Sequence, residues 1–133
     1  MPSVATRTSG GARAISRAAA ARIVVEAVSF RVRNLEMANL AGAVSIALAL
    51  RLSWSEVVFR ALFAFLLNAL VYLNNDWFDA PEDLRAPGRD GPKTRFLADN
   101  MESALAAQVA LGAALVAAAL AFDPGLLLAL LVG

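Results

Sequence analysis

Residues 57–73 read VVFRALFAFLLNALVYL, an apolar run in which Arg60 is the only charged residue. A helix that crosses a membrane needs about 20 largely apolar residues, and this run reaches that length with its flanking turns. Arg60 lies one turn inside the run, from where a long basic side chain can extend to the membrane surface. The run therefore predicts a membrane-spanning helix.

Two more apolar stretches extend this pattern along the chain. Residues 35–51 and 103–122 predict further spans, and the second of them contains small residues such as Gly112 that favour close helix packing. A fourth apolar run occupies residues 125–133 and is well short of a span. Because a helix that ended within hydrocarbon would leave carbonyl groups unpaired, we expect the natural protein to continue. The predicted fold is an all-α, polytopic transmembrane helix bundle of about three and a half spans.

The composition of the chain agrees with this fold class and restricts its chemistry. The 133 residues are 59% hydrophobic and 17% charged, with a mean hydropathy of +0.63, which is too apolar for a soluble domain of this size. The absence of Cys and His excludes a thiolate nucleophile, a disulfide, a zinc site and a histidine base. A bound metal would need oxygen ligands, which favour magnesium, calcium or manganese. Nucleic acid is not an expected partner.

The N-terminal region divides into a tail and a surface helix. Residues 1–21 are rich in Ala, Ser and Arg and contain no acid, which predicts a flexible basic tail, although a mitochondrial transit peptide has the same composition. Residues 22–133 then form the N-terminal part of a transmembrane domain. This domain opens with a helix in which Ile23, Ala27 and Phe30 share a face, a pattern typical of helices at the membrane surface.

The distribution of basic residues predicts the orientation of the chain. Six arginines precede the first span and place the N-terminus in the cytoplasm under the positive-inside rule, namely Arg7, Arg13, Arg17, Arg22, Arg31 and Arg33. Two spans return the chain to that side, so the polar loop at residues 74–102 is predicted to be cytoplasmic. Abundant Ala and a single Lys are typical of a GC-rich bacterial genome, which indicates an integral protein of the bacterial inner membrane.

The polar loop carries three aspartates with helical spacing. Asp76, Asp79 and Asp83 stand at i, i+3 and i+7, so an extended second span would place all three carboxylates on one face. Like charges at the mouth of an apolar bundle repel each other unless a multivalent cation compensates them. This arrangement predicts bound Mg²⁺, which is usually held by one or two carboxylates together with substrate phosphates.

Basic residues follow the aspartates within the same loop. Arg89 and Lys93 are predicted to contact diphosphate oxygens, Arg as a bidentate fork and Lys as a point charge, with Arg95 nearby. The acidic face also continues backwards into the membrane, because Asn68 and Tyr72 lie on the stripe that leads to Asp79. Polar side chains in a span face protein or a cavity, so we expect these two residues to line a cavity that holds substrate.

The segment resembles a known motif at its four defining positions. Asn75, Asp76, Asp79 and Asp83 match the first aspartate-rich motif, N-D-x-x-D-x-x-x-D, of the UbiA family of intramembrane prenyltransferases. Its place directly after a second span, on the cytoplasmic side, is also similar to that family. The resemblance covers roughly residues 20–133, the N-terminal portion of a family member.

The resemblance implies a UbiA-type helical fold around a central cavity, in which two aspartate motifs hold a polyprenyl diphosphate through magnesium. The implied roles are magnesium ligation by Asn75, Asp76, Asp79 and Asp83, catalysis by Asp76 and Asp79, and substrate binding by Asn68, Tyr72, Arg89 and Lys93. Departure of diphosphate would leave an allylic carbocation that an aromatic or other lipophilic acceptor attacks. The expected activity is transfer of a prenyl group within the membrane.

Two features depart from the family pattern. Pro81 lies between Asp79 and Asp83 and predicts an interruption or kink of the helix there. The second aspartate motif of the family is absent from these residues, so we expect an incomplete active site. Two other functions remain open: an alcohol phosphotransferase of phospholipid synthesis, whose Asp-Gly-x-x-Ala-Arg pattern we do not find, and a non-catalytic truncated membrane segment that retains only the first diphosphate-binding motif.

Overall fold

A computed structural model describes residues 15–34 and 37–132, and this part of the chain consists of helices and short connections. The helices are α1 (Arg17–Arg33), α2 (Asn39–Ala49), α3 (Trp54–Asp83), α4 (Pro92–Asp99), α5 (Met101–Phe122) and α6 (Leu126–Val132). The predicted all-helical class is therefore confirmed for the described residues.

The longest helix, α3, contains the apolar run that predicted a span. It begins with a capping box in which the Ser53 hydroxyl accepts a hydrogen bond from the Glu56 backbone N–H and the Glu56 carboxylate accepts one from the Ser53 backbone N–H. The helix then continues through Pro81 to Asp83. The predicted interruption at Pro81 is wrong, because proline removes only one backbone donor and the helix continues for two more residues, whereas the kink stays a prediction.

Two helices are long and apolar enough to cross a membrane. They are α3, with a mean hydropathy of 1.8 over its most apolar window, and α5, with 2.2. The two helices pack antiparallel, since the Trp77 indole N–H donates to the Met101 carbonyl at one end and Phe63 packs with Ala119 towards the other. Gly112 faces Leu70 in the middle of this pair, where an added Cβ would make an ordinary van der Waals contact at 3.8 Å.

The span expected at residues 35–51 is instead a shorter helix. Helix α2 has 11 residues and a length of about 16 Å, against about 30 Å of hydrocarbon in a bilayer. It ends because Leu50 leaves the helical conformation and Arg51 adopts a left-handed φ of 56°. Residues 35 and 36 lie outside the described residues. The apolar composition of this stretch predicted more helix than the backbone forms.

Two other boundaries also differ from the prediction. The tail expected at residues 1–21 ends earlier, because Ser16 caps α1 by accepting from the Ala19 backbone N–H and its own N–H donates to the Ser103 hydroxyl. Residues 1–14 lie outside the described residues. The loop expected at residues 74–102 is largely helical, since α3 extends to Asp83, α4 follows and α5 starts at Met101.

Helix α1 crosses the polar ends of α3 and α5. Its first turn reaches Ser103 of α5, and its last turn reaches Tyr72 and Asp76 of α3. Since Trp77 of α3 is level with the start of α5, these contacts fall in a band much narrower than the length of α1, which is about 25 Å. The helix therefore lies across the bundle, at the level where the apolar run of α3 ends.

The opposite end of α3 is joined to α5 by charge. The Arg60 guanidinium lies 2.8 Å from the Asp123 carboxylate, and both side chains are partly exposed. Arg60 was expected to extend towards the membrane surface, and the partner that it meets is the acid directly after α5. This ion pair fixes the relative height of the two long helices.

We expect the core at the crossing of α1, α3 and α5 to control stability. Leu73 is 1% exposed, whereas Leu62 of the same helix is 55% exposed. Leu73→Ala should lower the free energy of unfolding by about 2 kcal/mol or more, because it opens a cavity among three helices. Leu62→Ala should change it by about 0.5 kcal/mol or less. Unfolding of the chain in detergent micelles, followed by helical circular dichroism, measures both, and equal losses would contradict the packing described.

Candidate functional site

Asp76 is the centre of a charged cluster that joins three helices. Its Oδ1 lies 2.9 Å from the Arg31 guanidinium of α1, and its Oδ2 lies 2.7 Å from the Lys93 ammonium of α4. The Asp76 side chain is 15% exposed and that of Arg31 is 20% exposed. One carboxylate therefore accepts charge-assisted hydrogen bonds from two basic groups in a partly dehydrated setting.

Aromatic rings border the two basic groups. The Arg31 guanidinium carbon lies 4.6 Å from the centre of the Tyr72 ring, and the Lys93 ammonium nitrogen lies 4.9 Å from the centre of the Phe30 ring. Cations are attracted to the faces of such rings, and the rings also limit access of water. Tyr72, which was predicted to bind substrate, thus contacts the cluster through Arg31.

The cluster is held in place by apolar packing beneath it. A buried core joins α1, α3, α4 and α5 and consists of Ile23, Ala27, Leu73, Ala80, Leu97 and Ala104. On α3, Leu73, Asp76 and Ala80 follow one another at helical spacing, so the helical stripe that packs against α1 and α4 also carries the Asp76 carboxylate. Small residues at 80 and 104 let the helices approach closely enough for the charged groups to meet.

The other motif residues lie at the rim of this cluster. Asp83 pairs with the exposed Arg89 at 3.3 Å, while Asp79 and Asn75 are exposed on the neighbouring stripe of α3. The three aspartates therefore do not share one face as predicted, because Asp76 faces α1 and α4 whereas Asp79 faces outwards. Of the two basic residues predicted to bind phosphate, Lys93 contacts Asp76 and Arg89 contacts Asp83.

The connection between α3 and α4 contains a further ion pair. Arg95 bonds to Asp90, and this guanidinium, through its hydrogen bond and its charge, lowers the pKa of the Asp90 carboxyl. Both side chains are exposed, so the pair orders the connection more than it stabilises the fold. Arg95 is thereby drawn away from the Asp76 cluster.

The cavity expected beneath the aspartates has a different location. A groove of about 550 Å³ lies between α2, α3 and α6, and its lining includes Ala47, Phe63 and Leu67 but neither Asn68 nor Tyr72. The Asn68 side-chain amide instead donates to the Ala64 carbonyl of its own helix at 2.9 Å. A polar side chain within an apolar helix is satisfied here without a cavity, through the backbone one turn earlier.

The oxygen ligands proposed for magnesium do not converge into one group. Among residues 15–34 and 37–132, no three acidic side chains lie close enough together to share a metal ion. Asp76 and Asp79 nevertheless offer oxygen atoms from successive turns of one helix, which is the donor set that Mg²⁺ uses when phosphates and water complete its ligands. The donor chemistry suits Mg²⁺, but both Asp76 oxygens are bonded to Arg31 and Lys93, so the magnesium assignment stays a prediction.

Arg31 is the site residue that the sequence did not identify. It was assigned to orientation in the membrane, and it lies 45 residues before Asp76 in the chain. A signal was present in its position, because Arg31 lies two turns after Ile23 and one after Ala27 on the predicted helix, near the face that packs on the bundle.

The two aspartate pairs should differ in their contribution to stability. Asp76→Ala leaves Arg31 partly buried without this counter-charge, so the free energy of unfolding should fall by about 1–3 kcal/mol. Asp83→Ala breaks a pair with an exposed arginine and should cost about 1 kcal/mol or less. Denaturation of the two variants in identical micelles measures the difference. An equal effect would show that the Asp76 cluster is no more than a solvated surface network.

Comparisons with known proteins do not identify a relative of this chain. No family model, no curated protein and no solved structure matches it. The functional assignment therefore depends on the arrangement of residues at the Asp76 cluster.

Proposed function

We propose that the chain binds a prenyl diphosphate together with Mg²⁺ and forms part of a UbiA-type prenyltransferase, which transfers the prenyl group to a lipophilic, mainly aromatic, acceptor. The observation that carries this proposal is the meeting of Asp76 with Arg31 and Lys93 at the end of an apolar helix. Acidic and basic groups at one place provide both halves of a metal–diphosphate site. The resemblance of residues 75–83 to the family motif supports the same function.

The basic residues would bind and orient the diphosphate. Lys93 is 36% exposed and sits on the short helix α4, so its ammonium can transfer from the Asp76 carboxylate to a phosphate oxygen. Arg31 is more buried and is stacked on Tyr72, and it can hold its side of Asp76 in place during that exchange. In a site of low dielectric, such preorganised charges favour the negative charge that develops on a departing diphosphate.

Asp76 and Asp79 are the residues that would hold Mg²⁺, with Asn75 and Asp83 beside them. When bound, the ion supplies charge neutralisation and Lewis acidity towards phosphate oxygens. Asp79 is exposed and would hold the ion directly, whereas Asp76 would hold it only if Lys93 bonded to phosphate instead of to this carboxylate. A carboxylate that is paired with a base in the free protein would thus be paired with the metal ion in the complex, and the base would be paired with phosphate.

The proposal includes a location for the protein. Helices α3 and α5 would cross the bacterial inner membrane, with the N-terminus and the Asp76 cluster on the cytoplasmic side. The arginines of α1, which contacts Asp76, and those of residues 85–95 lie at the same end of α3, and this excess supports the orientation. A water-soluble head and a lipid-soluble tail of one substrate can both be reached from such a position.

One observation favours a second function, a membrane segment without catalysis. Both carboxylate oxygens of Asp76 already accept from protein groups, so the cluster can act as a purely structural clamp between α1, α3 and α4. In that case the motif stabilises the bundle and binds no diphosphate. Magnesium-dependent binding of a prenyl diphosphate distinguishes the two functions.

Removal of motif carboxylates should weaken magnesium-dependent binding. Asp76→Asn and Asp79→Asn should each weaken binding of farnesyl diphosphate to the full chain by about tenfold or more, because each loses a negatively charged ligand. Glu82→Gln is the matched control, since it makes the same change on the same exposed end of α3 outside the motif. Binding is measured by calorimetry in micelles with Mg²⁺ and with a chelator. Binding that is absent, or unaffected by the chelator, would sink the proposal and favour the structural clamp.

The two basic residues of α4 should differ in their effect on the same ligand. Lys93→Gln should weaken diphosphate binding by about tenfold, because one charge-assisted hydrogen bond to phosphate is lost. Arg95→Gln should have little effect, since Arg95 is occupied by Asp90. Titration with inorganic diphosphate and Mg²⁺ tests the head group alone. If Arg95→Gln weakened binding as much as Lys93→Gln, the basic residues would act only through net charge.

A further inference from the structure

The outward side of α1 has a pattern that packing within the bundle does not explain. Its inward side carries the buried residues Ala19, Ile23 and Ala27. The opposite side also carries apolar residues, spaced by three and four positions along one helical face: Ala18, Ala21, Val25, Val28 and Val32, here called the outer stripe. Val25 is 62% exposed and Val32 is 48% exposed. The outer stripe faces away from the described helices.

The position of α1 determines what surrounds the outer stripe. The helix lies across α3 at the level of residues 72–80, directly after the apolar run that ends at residue 73. This is the height at which the hydrocarbon of a bilayer gives way to head groups, provided that α3 crosses the membrane. An apolar face at that height meets the boundary between acyl chains and head groups.

Arginines border the outer stripe. Arg17, Arg22 and Arg33 are exposed at its edges, and Glu26 is the only acid in α1. Arg22 is paired with Glu26 and lies 3.9 Å from the centre of the Phe96 ring, which leaves Arg17 and Arg33 as the exposed arginines at the two ends of the helix. Basic residues beside an apolar stripe attract anionic lipid head groups.

An open, shallow apolar surface extends from the start of α1 along one face of α5. It includes Ile15 and the exposed residues Leu105, Val109 and Ala113. Except for Glu102 at the polar end of α5, this surface is apolar. Such a face contacts the acyl chains of lipids whose head groups would lie near Arg17.

From these observations we propose that α1 is an anionic phospholipid-binding helix, which lies in the membrane interface through its outer stripe and takes head groups at Arg17 and Arg33. The inference rests on membrane insertion of α3 and α5 and does not depend on prenyl diphosphate binding. The partner is the surrounding bilayer. The consequence is that the content of anionic lipid determines how deeply the outer stripe of α1 lies in the membrane interface.

Site-directed spin labelling tests this placement, because the chain contains no cysteine and each introduced one gives a single label. Val25→Cys and Val32→Cys place nitroxides on the outer stripe of the full chain. Val109→Cys, on an exposed site of α5, reports the membrane interior, and Arg85→Cys reports the connection after α3. The chains are reconstituted in phosphatidylcholine vesicles and in vesicles with about a third phosphatidylglycerol.

Collision with oxygen, which concentrates in lipid, is compared with collision with a water-soluble nickel complex. We expect the labels at 25 and 32 to favour oxygen, at a depth shallower than the label at 109, and to move deeper in the anionic vesicles. Arg17→Gln combined with Arg33→Gln should remove that composition dependence. The label at 85 should favour nickel in both kinds of vesicle.

Several results would overturn the proposal. Nickel access at 25 and 32 equal to that at 85 would place the outer stripe in water, and loss of access to both reagents would show that another protein surface, such as a second copy, covers it. Equal depth in both kinds of vesicle would refute the anionic preference. Nickel access at 109 would refute membrane insertion itself, whereas failure of diphosphate binding would leave these results unchanged.

Discussion

The bonding of one carboxylate to two helices is the interaction on which the rest of the site depends. Asp76 of α3 accepts from Arg31 of α1 and from Lys93 of α4, and the buried core directly beneath it joins the same helices. Without the carboxylate, two cations would lie close together at the end of an apolar bundle, and their repulsion would no longer be offset by this counter-charge. The short helices are thus held against the long pair by charge as well as by packing.

The same ion pairs could be replaced by bonds to a ligand. The carboxylate between two bases has its own charge fully compensated by protein groups. A ligand that carries both a divalent cation and a polyanion can replace each internal bond by an equivalent one, so that no charge is left uncompensated. Binding would then proceed by exchange of partners, which explains how a polar cluster can be both part of the fold and a candidate binding site.

The parts of the fold that sequence patterns predicted are those controlled by local composition. Long apolar runs predicted α3 and α5, and the spacing of Asp76, Asp79 and Asp83 predicted one acidic helix end. The length of α2 was not predictable in this way, because Arg51 ends it through a backbone conformation that hydropathy does not encode. The role of Arg31 depends on a contact across 45 residues, which only the docking of α1 creates. Local patterns identify the acids of the site, while tertiary packing selects their basic partners.

The length of α3 determines how far the aspartates would lie from the hydrocarbon of a membrane. Its 30 residues extend about 45 Å, whereas the hydrophobic thickness of a bilayer is about 30 Å. With its first turn anchored near Arg60 and Asp123, the surplus emerges at the other end as roughly ten residues of rigid rod. If α3 crosses a bilayer, this end of the helix would place the aspartates above the hydrocarbon. An amphiphile whose tail lay among the helices would then have its polar head at the same height as the carboxylates. The length of α3 beyond the hydrocarbon would therefore set the distance between the tail and the head group of a ligand that the site can bind.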